Sequence, residues 1–181
     1  MSERELAAIY AALEAISAGA TGDSQESECL EFKEDPAVHP NNRNPDAILA
    51  DVLADEAVCF SNSEGGISYI VVGVSDKKSG AEAFTGTNRR TEWFEKKIFD
   101  NTRPSISVEA TELTWENTRL VALRVPRGLA LYTRRKGQAG KRVGKNCVSL
   151  TEEQRRDIVF RRANPDFSAF PSARPMSDIE P

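Results

Sequence analysis

Glu26-Ser-Glu-Cys-Leu-Glu31-Phe32-Lys33 places carboxylates and a lysine around two apolar residues at strand spacing. If Cys29 to Lys33 are extended, Leu30 and Phe32 point into the core, while Glu31 and Lys33 share the opposite face. Such a strand carries chemistry on one side. Glu26 lies five residues before Glu31 and would leave a straight strand on the wrong face, so a turn through Asp23-Ser24-Gln25 is needed to bring it back beside Glu31. The bland alternative is an edge strand with a solvated charged face.

A second chemical feature is charge. The chain carries a net charge of −4, yet Asn117 to Thr151 holds no Asp or Glu and nine cations: Arg119, Arg124, Arg127, Arg134, Arg135, Lys136, Lys141, Arg142 and Lys145. Fifteen cations are left elsewhere against all 28 acids, giving a basic limb on an acidic body. A limb of this kind is either a solvated loop or a contact surface for phosphates. Other chemistries are poorly served. Cys29, Cys59 and Cys147 are widely spaced and lack a CxxC pair, so neither a disulfide framework nor a zinc knuckle is expected and all three read as buried thiols. His39, the single histidine, sits in loop-like His39-Pro40-Asn41-Asn42 and is expected at the surface, away from Ser-His-Asp chemistry. Gly137-Gln-Ala-Gly140-Lys141-Arg142 has neither the glycine spacing nor the Ser or Thr of a P-loop, so ATP binding is not expected there.

The elements that must position these groups fit one domain of 181 residues. Apolar and charged contents of 39% and 29% are those of a globular protein, and the longest apolar run, Ile67 to Val74, is too short to span a bilayer. The acidic opening Ser2-Glu3-Arg4-Glu5 argues against a secretory signal, so a cytoplasmic location is expected, with no membrane partner. Helical spacing of Leu6, Ile9, Tyr10, Leu13 and Ile16 predicts a helix over Glu3 to Ala18. Asn44-Pro45-Asp46 is a helix entry, followed by an apolar stripe of Leu49, Val52, Leu53, Cys59 and Phe60 to about Asn62. Glu64-Gly65-Gly66 turns into Ile67–Val74, which reads as a central strand covered on both faces. Thr91 to Asn101 is expected as a helix. Ile106 to Ala110 and Leu120 to Val125 are expected as a hairpin with its turn at Trp115 to Thr118. Glycines punctuate the basic limb into short strands, and Thr151-Glu-Glu-Gln154 has the pattern of a capping box opening a last helix toward Arg162. The expected organisation is an N-terminal helix over 1–21, one domain over 22–162, and a Pro-rich tail over 163–181 without a packed fold.

Taken in order, Glu26-x4-Glu31-Phe32-Lys33, the helix ending Cys59-Phe60-Ser61-Asn62, Glu64-Gly65-Gly66, Gly73-Val74-x-Asp76 and Arg142-Val143-Gly144 resemble the Schlafen AlbA-like domain, from about Gly22 to Arg161. The resemblance implies an α+β fold: a single domain with a mixed, mostly antiparallel β-sheet flanked by helices. Many bacterial members are described as DNA-binding domains. In members that cut structured RNA such as tRNA, three carboxylates hold a divalent metal, which here implies Glu26, Glu31 and Asp76 as ligands and catalytic residues, with Mg²⁺ or Mn²⁺ as cofactor and Lys33 beside the attacked phosphate. Ser75 stands where the family has the first of two aspartates. Arg119, Arg124, Arg134, Arg135, Lys136, Lys141, Arg142 and Lys145 are then the candidate nucleic-acid contacts. In nuclease members two such lobes form a horseshoe around RNA, so the resemblance also implies a homodimer. Three functions stay open at this point: a metal-dependent endoribonuclease, a non-catalytic DNA- or RNA-binding regulator, and an interaction subunit whose basic face meets an acidic protein.

Overall fold

A computed structural model describes Met1 and residues 3–163; the expected tail, from residue 164 onward, lies outside the described residues. The elements are α1 (Glu3–Ser17), α2 (Gly22–Gln25), β1 (Leu30–Lys33), α3 (Pro45–Asn62), β2 (Ser68–Val72), α4 (Thr91–Asn101), β3 (Thr102–Arg103), β4 (Glu109–Trp115), β5 (Thr118–Val125), β6 (Thr133–Arg134), β7 (Gly140–Val143), β8 (Asn146–Ser149) and α5 (Glu152–Ala163). Short 3-10 turns lie at Pro36–Val38 and Gly80–Ala83. The main sheet runs β1-β2-β5-β4, parallel between β1 and β2 and antiparallel elsewhere. This is the mixed, mostly antiparallel α+β fold.

Every residue of β2 is buried, as its apolar run requires, and its side chains divide between two cores. Tyr69 and Val71 join Leu30, Phe32, Leu120 and the α1 residues Ile9, Leu13 and Ile16. Ile70 and Val72 join Leu53 and Phe60 of α3 and Phe94 and Ile98 of α4. Thus α1 covers one face of the sheet and α3 with α4 the other, and α1 belongs to the core of the domain rather than standing apart from it. The β4–β5 turn is made by Glu116 and Asn117, both at positive φ (45° and 63°), between the paired residues Trp115 and Thr118. That is the conformation of a two-residue hairpin with a primed turn. The first strand of this hairpin begins at Glu109 and runs to Trp115, later than the alternation at Ile106 to Ala110 placed it.

Helix α3 starts as its sequence says, with the Asn44 side chain accepting from the Ala47 amide and Pro45 in the first turn. Its last turn holds the basic limb. Buried Asn62 accepts from the Tyr132 amide and donates to the Tyr132 and Gly140 carbonyls, at 2.9 Å each. Ser63 Oγ accepts from the Arg142 amide at 2.8 Å. The Phe-Ser-Asn ending of α3 is therefore a clamp on the β7–β8 hairpin. The cysteines depart from expectation: Cys59 of α3 and Cys147 of β8 are joined in a disulfide, and Cys29 is a free, exposed thiol. Wide sequence spacing hid the pair because the limb folds back across α3.

Candidate functional site

The short helix α2 does what the spacing of Glu26 and Glu31 demanded. Thr21 caps it, accepting from the Ser24 amide, and the chain leaves it so that Glu26 Oε1 accepts from the Phe32 amide at 3.3 Å. Glu26 is thereby beside Glu31. In β1, Leu30 and Phe32 face the α1 core, and Glu31 and Lys33 face α3. That face is covered rather than solvated, and Glu31 is only 3% exposed.

A buried charge of this kind requires counter-charges. Lys33 pairs with Glu31 through Oε1 and approaches Glu56 Oε1 at 3.4 Å. Arg142 Nη1 lies 2.7 Å from Glu31 Oε2, an ion pair without hydrogen-bond geometry, and 3.0 Å from Glu56 Oε2. Its Nη2 donates to the Ser27 carbonyl at 2.9 Å, and its guanidinium lies 4.7 Å from the Phe60 ring centre. Two carboxylates and two cations are thus interleaved where β1, α3 and β7 meet.

Electrostatics follow from burial and like charge. Burial, then Glu31, pushes the Glu26 carboxyl up to about 7. Burial, then Glu31, also raises Glu56. Burial opposes the charge on Lys33, but Glu56 and Glu31 overcome it and hold the ammonium above its ordinary value. Because the folded state binds the Glu26 proton more tightly than the unfolded chain, stability falls as pH rises from about 4.5 to about 7 and is flat beyond. Glu26→Gln keeps the acceptor for the Phe32 amide and removes that loss. Its melting temperature is expected to equal that of the wild type at the acid end of the window. It should exceed it by about 2–4 °C at the neutral end, for roughly 1 kcal/mol after solvent screening of a half-exposed carboxyl. Parallel melting curves across the window would place Glu26 in bulk-like surroundings.

Asp76 is positioned by backbone: its carbonyl accepts from the Asp23 amide at 2.8 Å, and a Cβ on Gly22 would fall 2.9 Å from its Cα. This sets it against α2 at Asp23, three residues before Glu26 in sequence. Among the described residues, no three His, Cys, Asp or Glu side chains gather as a metal would require. Glu31 already faces Lys33 and Arg142. A divalent ion on Glu26, Glu31 and Asp76 does not fit the side chains as they stand.

The basic limb divides in two. Arg119 pairs with Glu112, Arg124 with Glu5, Arg134 with Asp51 and Asp55, Arg142 with Glu31 and Glu56, and Lys145 with Asp23. Arg135 and Lys136 are exposed, Lys141 is partly so, and none of the three has an acidic partner among the described residues. Two groups escaped the sequence reading. Glu56 continues the α3 stripe, at the spacing Leu49, Leu53, Glu56, Phe60, and an acid inside an apolar stripe was the signal. Asp35, 1% exposed, accepts from Ala37, Thr87 and Arg89; Arg89 also pairs with Asp46 and stacks 4.2 Å over Trp93. Each Asp35 carboxylate oxygen accepts two hydrogen bonds within the fold, and nothing in the local sequence marked it.

A mixed four-stranded sheet covered by helices on both faces, with a basic hairpin clamped to its central helix over a buried carboxylate–cation cluster, defines a small α+β domain of AlbA-like type. The chain belongs to the Schlafen, AlbA_2 family, whose model matches residues 26–151. It is also similar in fold to the DIP2311 protein from Corynebacterium diphtheriae, seen in a crystal structure, at 23% identity and a TM-score of 0.62. The match covers 89% of this chain and 33% of that one, so the domain spans about a third of that protein. No curated protein matches the chain. No helix among the described residues is long and apolar enough to cross a membrane.

Proposed function

We propose that this domain binds nucleic acid through its phosphate backbone, with Arg135, Lys136 and Lys141 as the principal contacts. Membership in the Schlafen, AlbA_2 family supports nucleic-acid binding as the broad class. The observation that carries the residue assignment is that these three cations alone among the eight candidates have no acidic partner among the described residues. Cations already neutralised within the protein release few counterions on meeting a phosphate, whereas unpaired ones contribute fully. Contacts of this kind read the backbone and not the bases, so both structured RNA and duplex DNA are candidate ligands.

A second reading, endoribonuclease action on structured RNA such as tRNA, is favoured by one observation: Glu26, held up to about 7 beside Glu31, can take or give a proton at neutral pH. Lys33 is fixed between Glu31 and Glu56, so a phosphate oxygen would compete with those two carboxylates for its ammonium. Mg²⁺ or Mn²⁺ would have to displace Lys33 or Arg142 from Glu31, which makes metal dependence a separate question from binding.

One experiment separates the readings. Purified protein is titrated into tRNA and into duplex DNA on native gels at low and high salt. The tRNA samples are also run on denaturing gels with Mn²⁺ or EDTA. A shift that weakens steeply with salt is expected; no shift with either ligand would overturn the proposal. Discrete tRNA fragments that EDTA and Glu31→Ala abolish would add the nuclease reading. Intact tRNA in a shifted complex would remove it.

A further inference from the structure

Cys59 and Cys147 lie 88 residues apart in sequence, and their Cα atoms are 5.8 Å apart, within the ordinary range for a disulfide. Cys59 is on the last turn of α3 and fully buried; Cys147 is on β8 and exposed. In the β7–β8 register Cys147 stands directly opposite Arg142. Gly140 lies over the bond: a Cβ there would fall 2.6 Å from Cys59 Sγ and 2.9 Å from Cys147 Sγ. The cross-link therefore fixes β7 at the residue pair that sends Arg142 between Glu31 and Glu56. Apart from it, the contacts that hold the hairpin among the described residues include the Asn62 and Ser63 hydrogen bonds, the Arg142 contacts, Lys145 on Asp23, the Gly144 amide on Glu28 and the small cluster of Ala139, Leu150 and Ile158. The two main cores draw no residue from the hairpin.

We propose that the Cys59–Cys147 bond is a redox-responsive latch on the β7–β8 hairpin. Oxidised, it keeps the hairpin on α3 and Arg142 in the carboxylate cluster. Reduced, it leaves the sheet and its two cores intact and lets the hairpin open. The reaction is dithiol–disulfide exchange. A thiolate of a dithiol reductant attacks the sulfur of Cys147, the exposed residue of the pair, and Cys59 leaves as a thiolate that takes up a proton. The second thiol of the reductant then attacks the mixed disulfide and releases Cys147. The reductant ends as a disulfide, and two electrons and two protons end on Cys59 and Cys147. A small-molecule disulfide reverses the step. A bond with one exposed cysteine suits such exchange better than one whose two residues are both buried.

The test uses the full chain with Cys29→Ser, so that only this pair can react, and needs no nucleic acid. Oxidised and dithiothreitol-reduced protein are compared by intact mass after alkylation in denaturant and by hydrogen exchange of peptides from β7–β8 and from β2 and β5. The oxidised sample is expected to take no alkyl group and the reduced sample two. Hairpin amides should exchange about tenfold faster after reduction, with β2 and β5 unchanged. Alkylation of both cysteines in protein treated with oxidised glutathione would overturn the latch. So would hairpin exchange that is the same in both states, or a loss of protection that spreads to β2 and β5. Cys147→Ser should exchange as the reduced form does. If that variant fails to fold, the wild-type pair of redox states carries the comparison.

Discussion

Arg142→Ala is expected to destabilise the protein by about 3–5 kcal/mol, the range for removing one partner from a buried ion pair. The Arg142 side chain is 1% exposed and that of Glu31 3%, so the pair is shielded from bulk solvent. Loss of the guanidinium leaves Glu31 and Glu56 sharing Lys33 alone, removes the donor to the Ser27 carbonyl and uncovers the face of Phe60. Urea denaturation reads the change as a lower midpoint with the slope retained. A double variant, Arg142→Ala with Glu56→Gln, deletes one of the two orphaned charges and should recover part of the loss. That recovery, compared with the effect of Glu56→Gln alone, measures the coupling between the two residues. A single-variant loss below about 1 kcal/mol would mean that the cluster relaxes to protonated carboxyls or admits water, and Arg142 would then be a displaceable group rather than a structural one.

The same cluster shows what the sequence could and could not reveal. Alternation in Leu30 to Lys33 correctly divided apolar from charged faces, because a strand has only two sides. What covers the charged side depends on which helix packs there, and that information lies in α3 and β7, far along the chain. The β4–β5 turn and the start of α3 were legible because turn and cap chemistry is local: Glu116-Asn117 and Asn44-Pro45 act on their immediate neighbours. The disulfide was not legible, since its two cysteines meet only after the limb folds back onto α3. Charge was misleading in one respect. The limb contains no acid of its own, yet Arg119, Arg124, Arg134 and Lys145 find Glu112, Glu5, Asp51 and Asp23 from other segments. A stretch that is purely basic in sequence is largely neutralised in space, and among the described residues only a short part of it has no acidic partner.

That distinction sets the terms of the second large effect. Arg135→Glu, Lys136→Glu and Lys141→Glu together are expected to weaken nucleic-acid binding by at least about tenfold and to flatten the salt dependence. The slope of log affinity against log salt should fall by roughly two to three units, as for the loss of three phosphate contacts. Because these side chains form no ion pair among the described residues, their reversal should leave the denaturation midpoint close to that of the wild type. Reversal of Arg134 is a poorer probe, since it places a carboxylate against Asp51 and Asp55 and would lower stability as well as charge. Fluorescence anisotropy with labelled tRNA and duplex DNA at several salt concentrations gives both numbers at once. Unchanged affinity and slope in the folded triple variant would move the contact surface to the ion-paired arginines, where binding would require phosphate to compete with the protein's own carboxylates. Loss of affinity with an unchanged slope would instead point to base or shape contacts through the same hairpin, because counterion release depends on the number of phosphates neutralised and on nothing else in the interface.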